Sequence, residues 1–175
     1  RQRMMTVVLT RPASDSQRLA GLLAGEGFDT HCLPLMTIVP LTPAERPELP
    51  EASEIWIFIS ANAVKFGLPV LAPLLGDREA PIVIAVGTKT RETLSQHDIE
   101  SRVHDRQDSA GLLAMPELNR GRIGRVMIVK GEGGRDMLVN ELVKRARLLK
   151  AHCYLLDHLR EQMPSVYGFQ KKKQE

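Results

Sequence analysis

Apolar runs and amphipathic segments alternate along this chain, and the alternation predicts the order of its secondary structure elements. Unbroken, largely β-branched runs such as Thr6–Thr10 and Ile55–Ser60 are typical of parallel strands that are covered on both faces. Segments with apolar residues at helical spacing follow most of these runs. The sequence therefore predicts an α/β fold, with a parallel sheet and helices on both of its faces.

The first of these alternations has the order β-α-β. Thr6–Thr10 is the first predicted strand, and Phe28–Leu35 is the second. Between them, three leucines recur at helical spacing in a segment that Ser14 or Asp15 can cap. Glycines at 25 and 27 are expected to end this helix. We predict a partial first α/β domain over residues 1–37.

A proline-rich stretch from Pro40 to Pro50 then connects to a longer alternating region, which predicts a complete second α/β domain over residues 38–154. In this domain Pro69 and Pro73 are expected to break the first helix, and Thr88 can cap the second. The predicted strands are 55–60, 81–87, 101–104, 125–131 and 148–156, and the predicted helical segments are 61–75, 88–98, 109–118 and 134–147. Residues 155–175 form a divergent tail.

Four turns follow predicted strands and carry small residues, donors or a cation. In open α/β sheets, ligands bind where the carboxyl ends of the strands meet the helix N-termini, and such ends favour anions. The candidate binding residues are Arg11, Ser60, Asn62, Gly87, Thr88, Gly131, Gly133, Gly134 and Arg135. Simpler roles stay open for each: a helix cap at Ser60 and Asn62, a solvated side chain at Arg11, and glycines that only allow a tight turn.

Composition and motifs exclude several other classes of function. A net charge of +3 and 4% aromatic residues disfavour a nucleic-acid-binding surface. The five histidines have no metal-ligand spacing, so we expect no metal. The position of the third glycine in a dinucleotide fingerprint is occupied by Asp136, and no P-loop or nucleophile elbow occurs.

The two cysteines and the hydropathy pattern indicate a compartment. Cys32 and Cys153 both stand in apolar segments, where buried and reduced thiols are expected. No run reaches the length of a membrane span, and the Arg-rich start lacks the apolar core of a signal peptide. We expect a cytoplasmic protein without a membrane partner.

Five segments together resemble the uroporphyrinogen-III synthase family. They are "VLTRPASDSQRLAGLLAGEGFDTHCLPLMTIVPL", "IWIFISANAVKFG", "IAVGTKTRETL", "SAGLLAMPEL" and "RVMIVKGEGGRDMLVNELVKR", and the resemblance covers roughly residues 5–154. It implies two α/β domains joined by a two-stranded linker. The chain would begin in one domain, build the second, and return to complete the first.

The resemblance also implies a reaction. The family closes hydroxymethylbilane, a linear tetrapyrrole with eight carboxylates, into a ring with inversion of ring D and loss of water, as a hydro-lyase of haem biosynthesis without a cofactor. Matching to the family places its suspected catalytic tyrosine at Tyr154, at the carboxyl end of the last predicted strand, where it would assist departure of the hydroxyl. The same matching makes Arg11, Ser60 and Arg135 binding residues, with the backbone of Gly131–Gly134 contributing.

Two departures from the family pattern change these expectations. Arg145 stands where the family usually has a glycine, so the turn there is either strained or differently built. After Tyr154 the pattern dissolves, so the chain is expected to be truncated, with weak or no activity. The exposed edges of an incomplete first domain favour self-association. The alternative function is a non-catalytic α/β interaction module.

Overall fold

The computed structural model describes residues 5–41, 53–72, 80–120, 123–132 and 137–158, of which 147–158 are described by their backbone alone. The chain divides into two compact units. Unit 1 consists of Arg1–Val39 and Leu156–Glu175, and unit 2 consists of Pro40–Leu155. Strands alternate with helices in both units, which confirms the predicted α/β class.

Unit 1 contains a parallel pair of short strands. Strand β1 (Thr6–Leu9) pairs in parallel with β2 (Asp29–Cys32), and helix α1 (Ala13–Gly25) connects them. After α1, Gly27 adopts a left-handed φ of 82°, a conformation that favours glycine, so a glycine ends this segment as predicted. Pro12, and neither Ser14 nor Asp15, occupies the N-cap of α1, without a side-chain cap.

Unit 2 is built on parallel strands in the hydrogen-bonded order β7-β6-β4-β5, with β3 on the far side of β7. Strand β3 is an addition to the predicted elements, and both β3 and β7 cross the boundary between the units. The elements are β3 (Met36–Pro40), β4 (Ile55–Phe58), α2 (Ala61–Leu71), β5 (Ile82–Ala85), α3 (Thr88–Ser95), α4 (Ser109–Ala114), α5 (Pro116–Asn119), β6 (Arg125–Gly131), α6 (Met137–Arg145) and β7 (Arg147–His158).

Helices cover both faces of the unit 2 sheet. Ile55 and Ile57 of β4 lie in one apolar cluster with residues of α4, α5 and α6. Successive side chains of a strand point to opposite faces, so the equally buried Trp56 and Phe58 face the other way. Helices α2 and α3 pack against each other and against β4, β5 and β6, which places them on that second face.

Several local predictions are wrong, each for a physical reason. Helix α2 runs through Pro69 to Leu71, because Pro69 lies in the last turn and the buried Leu68 and Leu71 hold that turn against the core. Residues 101–104 form only an isolated bridge, between Arg102 and Ile84. Cys32 is exposed and free, because within the described part of the chain β2 pairs with β1 alone and buries none of its side chains.

The end of α6 shows how the chain replaces the glycine expected at Arg145. Asp98 is the only non-glycine residue with a positive φ among the described residues, so Arg145 is not in the left-handed region. Its guanidinium donates to the carbonyl of Leu113 at 2.8 Å and to Oδ1 of Asn119 at 3.2 Å. The turn is therefore differently built rather than strained, and Arg145 ties α6 to α4 and α5.

Candidate functional site

The strand order of unit 2 creates a switch point between β4 and β6. From β4 the chain moves to β5 on one side, and it later returns to β6 on the other side of β4. Connections that leave two adjacent strands in opposite directions open a crevice at their carboxyl ends, which is where ligands bind in this class of sheet. The two strands stay paired up to the crevice, where the N–H of Ile59 donates to the carbonyl of Val129 at 3.3 Å.

The turn after β4 begins helix α2 beside this crevice. Ser60 is the N-cap, with extended backbone, and its hydroxyl accepts from the N–H of Ala63 at 3.1 Å. The first N–H groups of a helix have no acceptor within the helix. Among the described residues, no acceptor pairs with the N–H groups of Ala61 and Asn62, and the Asn62 side chain is half-buried. Ser60 is thus a helix cap, and the turn also offers free N–H donors.

The turn after β5 is already occupied by a side chain from a distant loop. Gly87 is the N-cap of α3, so Thr88 is the first helical residue and not the cap. The N–H of Thr88 donates to Oε1 of Gln107 at 3.0 Å, and Nε2 of Gln107 donates to the Thr88 hydroxyl at 2.6 Å. A Cβ at Gly87 would stand 3.2 Å from the same Oε1, a close approach that glycine relieves. Sequence periodicity carries no signal for this contact.

The loop that carries Gln107 is braced on both sides. Asp108 caps α4 by accepting from the N–H of Gly111 at 2.8 Å, and it also accepts from Nε of Arg106 at 2.6 Å. The hydrogen bond from Gly111, followed by that from Arg106, holds the pKa of Asp108 below its ordinary value of 3.8. A Cβ at Gly111 would come within 1.9 Å of the Arg106 carbonyl, so this packing requires glycine.

The turn after β6 begins with the buried Gly131, the last residue of the strand, followed by the exposed Glu132. The predicted binding residues Gly133, Gly134 and Arg135 lie outside the described residues.

Sequence reasoning missed a charged residue at this position. Lys130 is 5% exposed and has an interaction partner. A lysine is rarely this deeply buried, so a lysine one residue before the end of a largely apolar strand is the signal that could have found it.

Tyr154 lies inside β7 rather than at its carboxyl end, because the strand continues to His158. The prediction that Tyr154 closes the strand is therefore wrong. The register between β6 and β7 shifts between Lys130 and Gly131, and the shift pairs Tyr154 with Gly131, the last residue of β6. The backbone of Tyr154 is thus level with Gly131, at the carboxyl end of β6.

Arg11 follows β1 in unit 1. Its Nη2 lies 3.8 Å from Oδ2 of Asp15, one helical turn further along, and its side chain is largely exposed. Arg11 is therefore a surface cation at the carboxyl end of its own strand pair.

The described ranges contain no group of three or more histidine, cysteine, aspartate or glutamate side chains arranged to hold a metal ion. Their helices are all too short or too polar to cross a membrane.

Comparison with known proteins identifies a family. The profile described as "Uroporphyrinogen-III synthase HemD" matches residues 17–165, which extends past Tyr154, where the family pattern was expected to end. The uroporphyrinogen-III synthase of Salmonella typhimurium is 30% identical over 164 residues, which are 86% of this chain and 64% of that protein. A stretch of 37 residues is 49% identical to EH domain-containing protein 2 of Homo sapiens, and this covers 21% of the chain but only 7% of that protein.

Solved structures share the fold. A mutant uroporphyrinogen III synthase from the extremely thermophilic bacterium Thermus thermophilus superimposes with a TM-score of 0.62 at 17% identity, covering 88% of this chain and 63% of that one. The chain thus spans somewhat less than two thirds of both synthases. The profile match covers most of the chain, and the chain belongs to the uroporphyrinogen-III synthase family.

Proposed function

We propose that this protein is a uroporphyrinogen-III synthase, a hydro-lyase that binds hydroxymethylbilane and closes it with inversion of ring D and loss of water. The observation that carries the proposal is the switch point of unit 2, where the carboxyl ends of β4 and β6 are adjacent. Family membership supplies the reaction. No cofactor is needed, because the leaving group departs from the substrate itself.

The substrate's charge matches the donors at this edge. A linear tetrapyrrole with eight carboxylates needs many hydrogen-bond donors distributed along a surface rather than one deep pocket. The first turn of α2 offers N–H groups at Ala61 and Asn62, and a helix N-terminus attracts negative charge.

The roles proposed for individual residues come from the family resemblance. Tyr154 would donate to the departing hydroxyl of the substrate, and the pairing of its backbone with Gly131, at the end of β6, is compatible with that role. The remaining proposed residues contact substrate carboxylates: Arg11, Ser60, Asn62, Gly87, Thr88, Gly131, Gly133, Gly134 and Arg135. Ser60 keeps its capping role alongside binding.

A coupled assay tests this function. Porphobilinogen and a deaminase supply hydroxymethylbilane, which closes spontaneously to the type I ring without inversion. With this protein we expect the type III isomer to form slowly, as the departures from the family pattern predict, and we expect Tyr154→Phe to lower its rate of formation at least tenfold while leaving unfolding by urea unchanged. Type I product alone would contradict the proposal.

A non-catalytic interaction module is the second candidate, and unit 1 favours it. Met5, Val8 and Leu22 are large apolar residues of this unit that are about half or more exposed. We propose that residues 1–37 are part of a first domain, that residues 38–154 are the complete second domain, and that 155–175 are a divergent tail. The exposed apolar side chains of unit 1 would favour self-association. Light scattering across a concentration series would detect that association.

A cytoplasmic location, where thiols stay reduced, suits the free thiol of Cys32.

A further inference from the structure

The outer edge of β5 is paired over only half of its length. Arg102 occupies the second half, where its N–H donates to the carbonyl of Val83 at 2.9 Å and its carbonyl accepts from the N–H of Ala85 at 2.8 Å. The N–H and the C=O of one strand residue point to the same side, so the N–H of Val83 also points outwards, away from β4. Val83 is 8% exposed, yet no acceptor within the described part of the chain pairs with this N–H. The first half of the edge therefore has an unpaired donor in a buried residue.

A cavity of about 440 Å³ lies along this open half of β5 and is lined by Pro81 and Val83. The carbonyl of Pro81 also points outwards, because the N–H of the next residue, Ile82, turns inwards to the carbonyl of Glu54 at 2.9 Å. The hydroxyl oxygen of Ser101, another lining residue, is buried and has no hydrogen-bond partner in the described structure. Native proteins pair nearly all of their buried polar groups, so unpaired groups around one cavity of ligand size point to a ligand that completes them.

We propose that this open edge binds an extended basic peptide of a partner protein, which adds a short strand along the first half of β5. A residue of the peptide pairs with Ile82 in the way that Arg102 pairs with Ile84. Its N–H donates to the carbonyl of Pro81, and its carbonyl accepts from the N–H of Val83. The peptide turns away before Arg102, which already occupies the second half of the edge.

This site is separate from the one assigned to the tetrapyrrole. It follows the first half of β5, whereas the proposed substrate turns follow the carboxyl ends of the strands. The inference therefore goes beyond the proposed function and does not depend on it.

The charges around the cavity select a basic peptide. Asp98 and Glu100 are exposed carboxylates of its lining. The cation of the lining, Arg102, already donates to Oε1 of Glu117. A lysine or arginine side chain beside the docked residue therefore meets a surplus of negative charge, and an acidic peptide is repelled.

NMR titration of the protein with the peptide acetyl-Val-Lys-Val-Lys-Val-amide tests the inference. We expect the amide proton signal of Val83 to move downfield, because this N–H gains an acceptor. Ala85 is the internal control: its N–H lies on the same edge but is already bonded to Arg102, so its signal should move much less. The same peptide with methylated backbone nitrogens keeps its charge but cannot donate hydrogen bonds, and it should bind about tenfold more weakly.

A pair of charge variants tests the chemistry of the occupant. Asp98→Asn removes one carboxylate of the lining, and asparagine tolerates the left-handed φ of 58° at this position as aspartate does. It should weaken peptide binding by about two- to fivefold at low salt, as expected for an exposed ion pair. Asp105→Asn removes an exposed carboxylate of the same unit outside the cavity lining, and it should leave the affinity unchanged.

Three results would overturn the proposal. The first is a Val83 signal that stays in place at millimolar peptide or moves no more than that of Ala85. The second is equal peptide affinity of Asp98→Asn and the parent protein. The third is a Val83 signal that moves with protein concentration alone, because a second copy of the chain would then occupy the edge. Formation of the type III isomer in the coupled assay is a separate measurement, so the proposed function and this inference can fail independently.

Discussion

Both units contain β-α-β elements, but among the described residues only the strands of unit 2 are covered by helices on both faces. All four residues of β4 and six of the seven in β6 are buried, because helices pack on both faces of the sheet. In β1 only Leu9 is buried, and β2 has no buried residue. Strands β1 and β4 have similarly apolar sequences, so their different burial reflects what their neighbours supply rather than their own propensity.

The helices show the same contrast. Helix α2 buries five residues against the sheet and is capped by Ser60. Helix α1 buries only Ser16, whose hydroxyl donates to the carbonyl of Arg11 at 2.8 Å, and it has no side-chain cap. Burial of an amphipathic face supplies most helical stability in proteins, so α1 is held much less firmly than α2. The catalytic proposal accordingly rests on unit 2.

Hydrogen exchange should give the largest measurable difference between the units. Amides of the central strands β4 and β6 are expected to exchange only through global unfolding of unit 2. Amides of β1 and β2 should exchange by local opening, with protection factors lower than those of β4 and β6 by a factor of about 100 or more. Mass spectrometry of peptic peptides would measure both. Equal protection in β1 and β4 would mean that unit 1 is as stable as unit 2, and the contrast in burial would have no energetic consequence.

A matched pair of truncations measures the same contrast as free energy. Ile57→Ala leaves a cavity in the middle of β4, where the side chain is fully buried, and should lower the free energy of unfolding by about 2–5 kcal/mol. Val8→Ala, in the corresponding region of β1, removes a side chain that is 48% exposed and should cost less than about 1 kcal/mol. Urea denaturation gives both values. A larger loss for Val8→Ala than for Ile57→Ala would reverse the comparison.

Periodicity located the strands of unit 2, but it did not fix all their ends. Strand β6 has its expected range, Arg125–Gly131, whereas β4 and β5 are shorter than the expected 55–60 and 81–87. Helix α3 begins at Thr88 as expected. In unit 1 the expected strand 28–35 shortens to Asp29–Cys32, since few neighbours fix its ends. Strand β3 went unpredicted.

The candidate site was predictable in outline and not in its contacts. A parallel sheet brings the turns after β4, β5 and β6 to one edge, which the order of elements alone implies. The Gln107 contact spans 19 residues and depends on loop geometry that no periodicity encodes. The pairing of the Tyr154 backbone with Gly131 depends on a register shift between β6 and β7. A one-residue irregularity of this kind leaves no sequence pattern.

Removing a helix cap should lower stability by an intermediate amount, and the loss should again be larger in unit 2 than in unit 1. Ser60→Ala deletes the acceptor for the Ala63 N–H and should destabilise unit 2 by about 1 kcal/mol. Ser14→Ala is the control, because Ser14 lies in α1, where no side chain caps the helix. It should be neutral or slightly stabilising, since alanine is the better helix former. Thermal unfolding followed by circular dichroism compares the two variants, and equal losses would contradict the assignment of Ser60 as a cap.

The smallest expected effect is a pH dependence at the edge of unit 2. Burial alone would raise the pKa of Glu117. Its own backbone N–H and then Arg102, whose guanidinium donates to Oε1, outweigh burial and leave the pKa below the ordinary 4.5. A lowered folded-state pKa stabilises the fold above about pH 4.5, and this contribution is lost as pH falls through the folded-state value.

Glu117→Gln should therefore flatten the dependence of the unfolding free energy on pH below 4.5. At pH 7 the variant should lower the unfolding free energy by about 1 kcal/mol or less, because Arg102 is largely exposed. Arg102→Gln and the double variant complete a cycle. If the pair acts as a unit, the double variant should lose little more than either single variant. Fully additive losses would show that Glu117 acts through burial and its backbone contact alone. The ion pair would then resemble the solvent-exposed Arg11–Asp15 pair of unit 1, where little coupling is expected.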